Sequence, residues 1–71
     1  MKNYLTEREK GVLQNLAQGF TNEEIASELH ISVHTVKAHL EAIYDKLSVS
    51  NRVQAAIKAV VLGVIDLKTL L

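Results

Sequence analysis

Apolar residues recur along the chain at intervals of three and four, a spacing that predicts amphipathic α-helices throughout. Gly19 and Gly63 are typical helix stops. Gly11 lies inside the first helix, where glycine lowers helix stability by up to about 1 kcal/mol relative to alanine. Either close packing or neutral drift accounts for a glycine at this position. The pattern predicts four helices, over approximately residues 6–18, 21–30, 32–47 and 52–62, followed by a tail (64–71) that either packs or frays.

Helix starts are indicated by residues that cap N-termini. Thr6 with Glu9 and Thr21 with Glu24 form two capping boxes, in which the hydroxyl accepts from the third amide and the glutamate reaches back. The third and fourth starts are assigned to Ser32 and to Ser50 or Asn51.

The third and fourth helices differ in their apolar faces. In the third, the apolar residues fall within a sector of about 60° and define one inward side, formed by Val36, Leu40, Ile43 and Leu47. The fourth is apolar nearly all round, with Ala55, Ala59 and Leu62 on one face and a broad face opposite. A domain this small covers only one side of such a helix, so the surplus predicts a partner surface. The face predicted to meet a partner consists of Val53, Ile57, Val60, Val61 and Val64.

The second and third helices are joined by only a few residues around His30 and Ile31. The small Ala26 precedes the inward Val36 by ten residues, which lets two helices cross closely. This arrangement favours a helix-turn-helix over about residues 21–47. The prediction is an all-α fold: a compact four-helix domain, residues 1–71 with a core at about 5–65.

Length and composition limit the function. The chain has 71 residues, 48% of them hydrophobic, and no cysteine, so disulfides and cysteine-bound zinc are excluded. The longest apolar run is far below the roughly 18 residues that span a bilayer, and no signal peptide is visible, so we expect a soluble, cytoplasmic protein. No catalytic constellation is present and we expect no enzyme and no cofactor. His30 and His34 have a zinc-like spacing, but a turn falls between them and no third ligand follows, so no metal is expected.

The net charge by itself argues against binding to nucleic acid, because eight basic residues balance eight acidic ones. The distribution is asymmetric, however. Residues 1–30 carry three basic and five acidic side chains, whereas residues 31–58 carry four basic and two acidic ones. The second half can therefore approach DNA, and the neutral total predicts weak binding by a single copy.

A set of residues spread over about residues 5–65 forms a combined motif: Leu5-Thr6-Glu7-Arg8-Glu9, Val12-Leu13, Gly19, Asn22, Glu24-Ile25-Ala26, Leu29, Ile31-Ser32, Thr35-Val36-Lys37, His39, Lys46-Leu47, Val49, Arg52 and Ala55. In these residues the chain resembles a known family, the LuxR-type (NarL/FixJ) DNA-binding domain of bacterial transcription regulators. The resemblance implies DNA binding near the nucleoid, dimerisation through the last helix at the face predicted to meet a partner, a role as a response regulator effector domain, and RNA polymerase as a further partner.

Side chains of the third helix that point away from Val36 are candidates for reading bases in the major groove. Lys37 can donate to guanine, Ala38 can contact a thymine methyl, and Glu41 can accept from cytosine. Several relatives carry a basic residue at the Glu41 position, so Glu41 either reads cytosine or repels phosphate. The predicted base-reading residues are His34, Lys37, Ala38 and Glu41.

Phosphate contacts are expected mainly from helix starts, because free amides there bind anions. Lys46 and Arg52 rank lower, since either can instead pair within the protein. The full predicted set is Thr21, Asn22, Ser32, Val33 through its amide, Thr35, His39, Lys46 and Arg52.

Two other functions remain open. A sigma-factor promoter-recognition domain shares the Leu-Thr-x-Arg-Glu opening, but His39, the 49–55 segment and the apolar fourth helix argue against it. A protein-interaction module that has lost DNA binding fits the zero net charge. The chain itself is either a complete small regulator or part of a longer protein with a receiver or ligand-binding domain.

Overall fold

The computed structural model describes residues 5–70, apart from the side chain of Leu70, and contains five α-helices. The all-α prediction is confirmed, since this part of the chain contains no strand. Residues 1–4 and Leu71, the ends of the predicted domain and tail, lie outside the described residues. The helices are α1 (Glu7–Ala17), α2 (Asn22–Leu29), α3 (Val33–Leu47), α4 (Arg52–Val61) and α5 (Leu67–Leu70).

The helix starts follow the cap chemistry of the sequence. Both capping boxes are formed, and Thr21 Oγ1 accepts from the Glu24 amide at 3.1 Å while Glu24 Oε1 accepts from the Thr21 amide at 2.8 Å. Ser32 caps α3, as predicted. For α4 the structure selects Asn51, whose Oδ1 accepts from the Gln54 amide at 2.9 Å.

The helix ends use left-handed backbone at four positions, two of them without glycine. His30 and Ser48 end α2 and α3 with φ of 59° and 57°. At the first of these ends the Ile31 amide donates to the Ala26 carbonyl at 3.0 Å, which closes the helix and turns the chain sharply. A left-handed non-glycine residue costs roughly 1–2 kcal/mol, so tertiary packing of α2 and α3 sustains these turns.

The core lies where α1, α2 and α3 meet, and its largest fully buried side chains are Val12, Leu13, Ile25, Val36 and Ile43. The four residues predicted to face inward on α3 are each no more than 5% exposed. The 3.6-residue period therefore located the inner face of α3 correctly.

Helix α4 packs on α1 through its smallest residues. Ala55 and Ala59 are completely buried, and their short side chains let the two helices approach closely. Leu62 was grouped with them from the sequence, but it is 55% exposed because α4 ends at Val61. The expected division of α4 into two faces is therefore correct for the alanines and wrong for Leu62.

The tail after Gly63 packs at its beginning. Ile65 is buried in the core cluster, and the Val64 carbonyl accepts from Gln14 Nε2 of α1 at 3.1 Å. The short α5 follows, with Leu67 exposed. Of the two outcomes left open for the tail, packing holds for this part. None of the helices described for residues 5–70 is long and apolar enough to cross a membrane.

Candidate nucleic-acid interface

Helices α2 and α3 form the predicted helix-turn-helix. Ala26 and Val36 are both buried where the two helices pack together, which is the close crossing that the ten-residue separation indicated. Because Val36 and Leu40 anchor α3 to the core, the opposite side of α3 is held outward as a rigid surface.

The outward side of α3 carries the four predicted base-reading residues. Their side chains are all exposed, and they lie within the first nine residues of the helix: His34, Lys37, Ala38 and Glu41. The structure thus brings this set together on one surface.

A cleft of about 500 Å³ separates the start of α2 from the first turns of α3. Its polar lining includes Thr21 and Asn22 on one side and Lys37 on the other. A second cleft of about 250 Å³ adjoins it along α3 and shares Asn22, Lys37 and Arg52 with the first. The start of α2 and the outward side of α3 therefore border one continuous concave surface.

Helix starts supply hydrogen-bond donors at the first cleft, through Thr21, and beyond the clefts at the start of α3, through Ser32 and Thr35. Thr21 Oγ1 accepts from the Glu24 amide, which leaves the hydroxyl proton for an outside acceptor. Ser32 Oγ accepts from the Thr35 amide at 3.0 Å and lies 2.9 Å from Thr35 Oγ1, so the Ser32–Thr35 hydroxyl pair keeps one proton for the same purpose. Val33, Thr35 and His39 are half-buried.

Lys46 is held inside the protein. Its Nζ lies 2.7 Å from Oε1 of Glu9, a carboxylate that is only 6% exposed. Burial alone would raise the pKa of Glu9, but the hydrogen bonds from Lys46 and Thr6 and the Lys46 charge outweigh it and lower that pKa below the usual 4.5. A DNA phosphate would compete with this carboxylate for the ammonium group.

Arg52 is likewise engaged within the protein. Its Nη1 donates to Asn22 Oδ1 and its Nη2 to the Phe20 carbonyl, both at 2.8 Å. The side chains of Arg52 and Asn22, which the sequence placed among phosphate contacts, are therefore bonded to each other.

Tyr44 borders the second cleft and was not among the predicted site residues. It follows Glu41 by three residues and Lys37 by seven, which places all three on the same flank of α3. This spacing alone would have identified Tyr44, from the sequence, as a neighbour of the predicted base-reading residues.

Of the predicted dimer residues, three lie on the outer side of α4, whereas Val60 and Val64 pack against the core and Val64 lies beyond the end of the helix. Val53, Ile57 and Val61 are 69%, 59% and 72% exposed, while Val60 and Val64 are half-buried. Three large apolar side chains thus form an open stripe along the helix.

In the part of the chain that the structure describes, no three His, Cys, Asp or Glu residues are grouped as metal ligands.

Comparison with known proteins agrees with this geometry. Residues 3–59 match the family model described as "Bacterial regulatory proteins, luxR family". The chain is 51% identical over 55 residues to proteins named response regulator protein VraR from Staphylococcus aureus, Staphylococcus saprophyticus and Staphylococcus epidermidis. Each alignment covers 78% of this chain and 26% of the relative, so the chain spans about a quarter of the length of these relatives. The resemblance stated from the sequence motifs is confirmed: the chain belongs to the luxR family of bacterial regulatory proteins, a family of helix-turn-helix DNA-binding domains in transcription regulators.

Proposed function

We propose that this chain binds double-stranded DNA with sequence specificity, with α3 in the major groove, and thereby regulates transcription in the bacterial cytoplasm. The outward side of α3 carries the proposal. It presents a lysine, a histidine, a glutamate and a methyl group on a helix whose opposite side is locked into the core. The major groove, about 12 Å wide, admits an α-helix, and these side-chain types match the groups on base edges.

Each base-reading residue has a distinct role in this proposal. Lys37 donates to guanine O6 or N7, and Ala38 packs against a thymine methyl. Glu41 accepts from cytosine N4 and repels phosphate elsewhere, so it favours a narrow set of sites. His34, in the first turn of α3, contacts a base edge at the end of the helix that enters the groove first.

Phosphate contacts would hold α3 in register along the duplex. The hydroxyls of Thr21, Ser32 and Thr35, the Val33 amide, Asn22 and His39 border the outward side of α3 or the start of α2. Lys46 and Arg52 contribute less to this set, because both already bind acceptors within the protein.

We also propose that two copies bind together through α4. An open apolar stripe is unfavourable in water, and a second copy would cover it. The two cations among the predicted phosphate contacts, Lys46 and Arg52, bind acceptors within the protein, so a single copy releases few counterions and pairing would raise the affinity for paired half-sites. The names of the relatives, response regulators, support a role as the DNA-binding part of such a regulator.

A salt titration of binding to random-sequence duplex DNA tests the nucleic-acid function. We expect log K to fall linearly with log salt concentration, because each neutralised phosphate releases a counterion. A pure protein-interaction module would show no salt-dependent binding, and that result would remove the proposal.

Substitution of Lys37 tests the assignment of α3 as the helix that reads bases. Lys37→Ala is expected to weaken binding to a selected site by roughly 1–3 kcal/mol and to relax one base position. Lys10→Ala is the matched control, since it removes the same charge from α1, where Lys10 pairs with the exposed Glu7. Equal effects of the two variants would refute the role of Lys37.

An aspartate on the apolar stripe tests pairing. Ile57→Asp should abolish self-association in sedimentation equilibrium, whereas Ser27→Asp, which adds the same charge at an exposed position of α2, should not. If the unaltered chain is monomeric at high concentration and also when bound to DNA, the α4 interface is wrong.

A further inference from the structure

Arg52 joins two parts of the molecule that are far apart in sequence. It is the first residue of α4, and its guanidinium donates to two acceptors 30 and 32 residues earlier, Asn22 Oδ1 and the Phe20 carbonyl. These acceptors lie immediately before and after Thr21, the N-cap of α2. Arg52 therefore forms hydrogen bonds with the start of α2 on both sides of its N-cap.

The geometry requires arginine rather than any cation. A guanidinium presents two donors in a planar fork, so one side chain can satisfy two separate acceptors at 2.8 Å. A lysine ammonium at the same place would keep the charge and lose this fixed two-point attachment. Both bonds are partly buried, so water competes with them only weakly.

The start of α2 has little else to hold it against α4. Thr21, Glu23 and Glu24 are exposed, and the capping box fixes the helix only to itself. Phe20 packs on the core and its amide donates to the Asn15 carbonyl of α1 at 3.1 Å, and the Arg52 bridge adds the attachment to α4, beside the cleft that Lys37 borders.

We propose that Arg52 is a positioning residue for DNA binding, acting through Phe20 and Asn22 to hold the first turn of α2 where its amides and the Thr21 hydroxyl meet a phosphate. This inference rests on the proposed function and assigns Arg52 a role other than direct phosphate contact. Both of its bonded nitrogens face protein acceptors, and a phosphate would have to displace two short hydrogen bonds to reach them.

Affinity measurements on Arg52→Lys and Arg52→Gln separate the two roles. A positioning role predicts that both variants lose roughly tenfold in affinity, about the worth of a charged hydrogen bond, with the salt slope unchanged in Arg52→Lys. A phosphate contact predicts instead that Arg52→Lys keeps its affinity while Arg52→Gln loses about 0.9 from the slope. Lys58→Gln, which removes a charge elsewhere on α4, is the control and should bind as the unaltered chain does.

Amide hydrogen exchange gives a second readout that needs no DNA. The Glu24 and Ile25 amides donate to Thr21 in the first turn of α2, so both Arg52 variants should exchange there roughly tenfold faster. The Leu40 and Ile43 amides in α3 should stay protected. Should Arg52→Gln not fold, Asn22→Ala removes one acceptor only, and faster exchange in the first turn of α2 is then the readout, because Asn22 is itself a proposed phosphate contact.

Unchanged exchange in the first turn of α2, or full affinity in Arg52→Lys, would overturn the positioning role. If the unaltered chain binds no duplex at all, the proposed function fails, and a role of Arg52 in DNA binding fails with it. Exchange would then still report whether Arg52 steadies α2, so the two failures are distinguishable.

Discussion

Helices α3 and α4 both bury one side, but they distribute side-chain size and polarity in opposite ways. Helix α3 buries its large apolar residues, such as Val36 and Ile43, and exposes charged and polar ones. Helix α4 buries two alanines completely and exposes Val53, Ile57 and Val61. The same fold thus contains a helix with its large apolar groups inside and a helix with them outside.

The difference shows that burial and function place separate demands on a helix. Large inward residues give α3 most of its contribution to the core, which leaves its outer side available for base edges. The alanines of α4 allow close packing on α1 and leave the large side chains in water, where they favour association with another apolar surface. One helix is therefore suited to a polar partner and the other to an apolar one.

Truncating one isoleucine on each helix tests whether α3 buries its large side chains and α4 exposes them. Ile43→Ala is expected to lower the free energy of unfolding by about 2–5 kcal/mol, because it removes a fully buried side chain and leaves a cavity. Ile57→Ala, at a position 59% exposed, should change it by no more than about 0.5 kcal/mol. Urea denaturation checks both at protein concentrations low enough to exclude self-association, and similar losses would contradict the assignment of the faces.

The contrast between the helices was only partly visible in the sequence. The cap residues Thr6, Thr21 and Ser32 predicted three helix starts, because capping is local chemistry within four residues. The period of α3 also located its inner face. For α4 the sequence separated Ala55 and Ala59 from the face predicted to meet a partner, and their burial confirms this division. Because apolar residues surround the helix, the sequence assigned Leu62, Val60 and Val64 to the wrong sides.

Acid should weaken the polar link between α1 and α3. The pKa of Glu9 is lowered in the folded protein, chiefly by Lys46 and Thr6 acting against burial, so its contribution is present above about pH 4.5 and is lost as pH falls through the folded pKa. Glu9→Gln should lower the free energy of unfolding by about 1–3 kcal/mol at pH 7 and remove part of the pH dependence below 4.5. Glu7→Gln, at an exposed position, is the matched control, and parallel pH profiles for Glu9→Gln and the unaltered chain would contradict the buried pair.

The partners of the two inward-turned cations, Lys46 and Arg52, could not be predicted from the sequence. Lys46 pairs with a residue 37 positions earlier and Arg52 with one 30 positions earlier. A pattern along the chain reports neighbours within about two helical turns, whereas these partners meet only after α1, α2, α3 and α4 have packed. The possibility of internal pairing could be stated from the sequence, but the choice of Glu9 and Asn22 could not.

The smallest expected effects concern α1, the helix on which both α3 and α4 pack. A methyl group at Gly11 would meet only Leu29 Cδ2 at 3.9 Å, an ordinary contact, so Gly11→Ala should raise the free energy of unfolding by about 0.5–1 kcal/mol. Gly19→Ala, with φ of +93°, should lower it by about 1 kcal/mol. Thermal unfolding of both variants checks the pair, and a destabilised Gly11→Ala would indicate a packing requirement for the glycine.

Nuclear magnetic resonance titration of the chain with a duplex that it binds tests the central claim most directly, namely that α3 meets DNA and the α4 stripe does not. We expect saturable shifts in the amides of His34, Lys37, Ala38 and Glu41, with Val53, Ile57 and Val61 unaffected when the duplex carries a single half-site, so that no second copy binds beside the first. Shifts concentrated on Val53, Ile57 and Val61, or none on α3, would contradict the account.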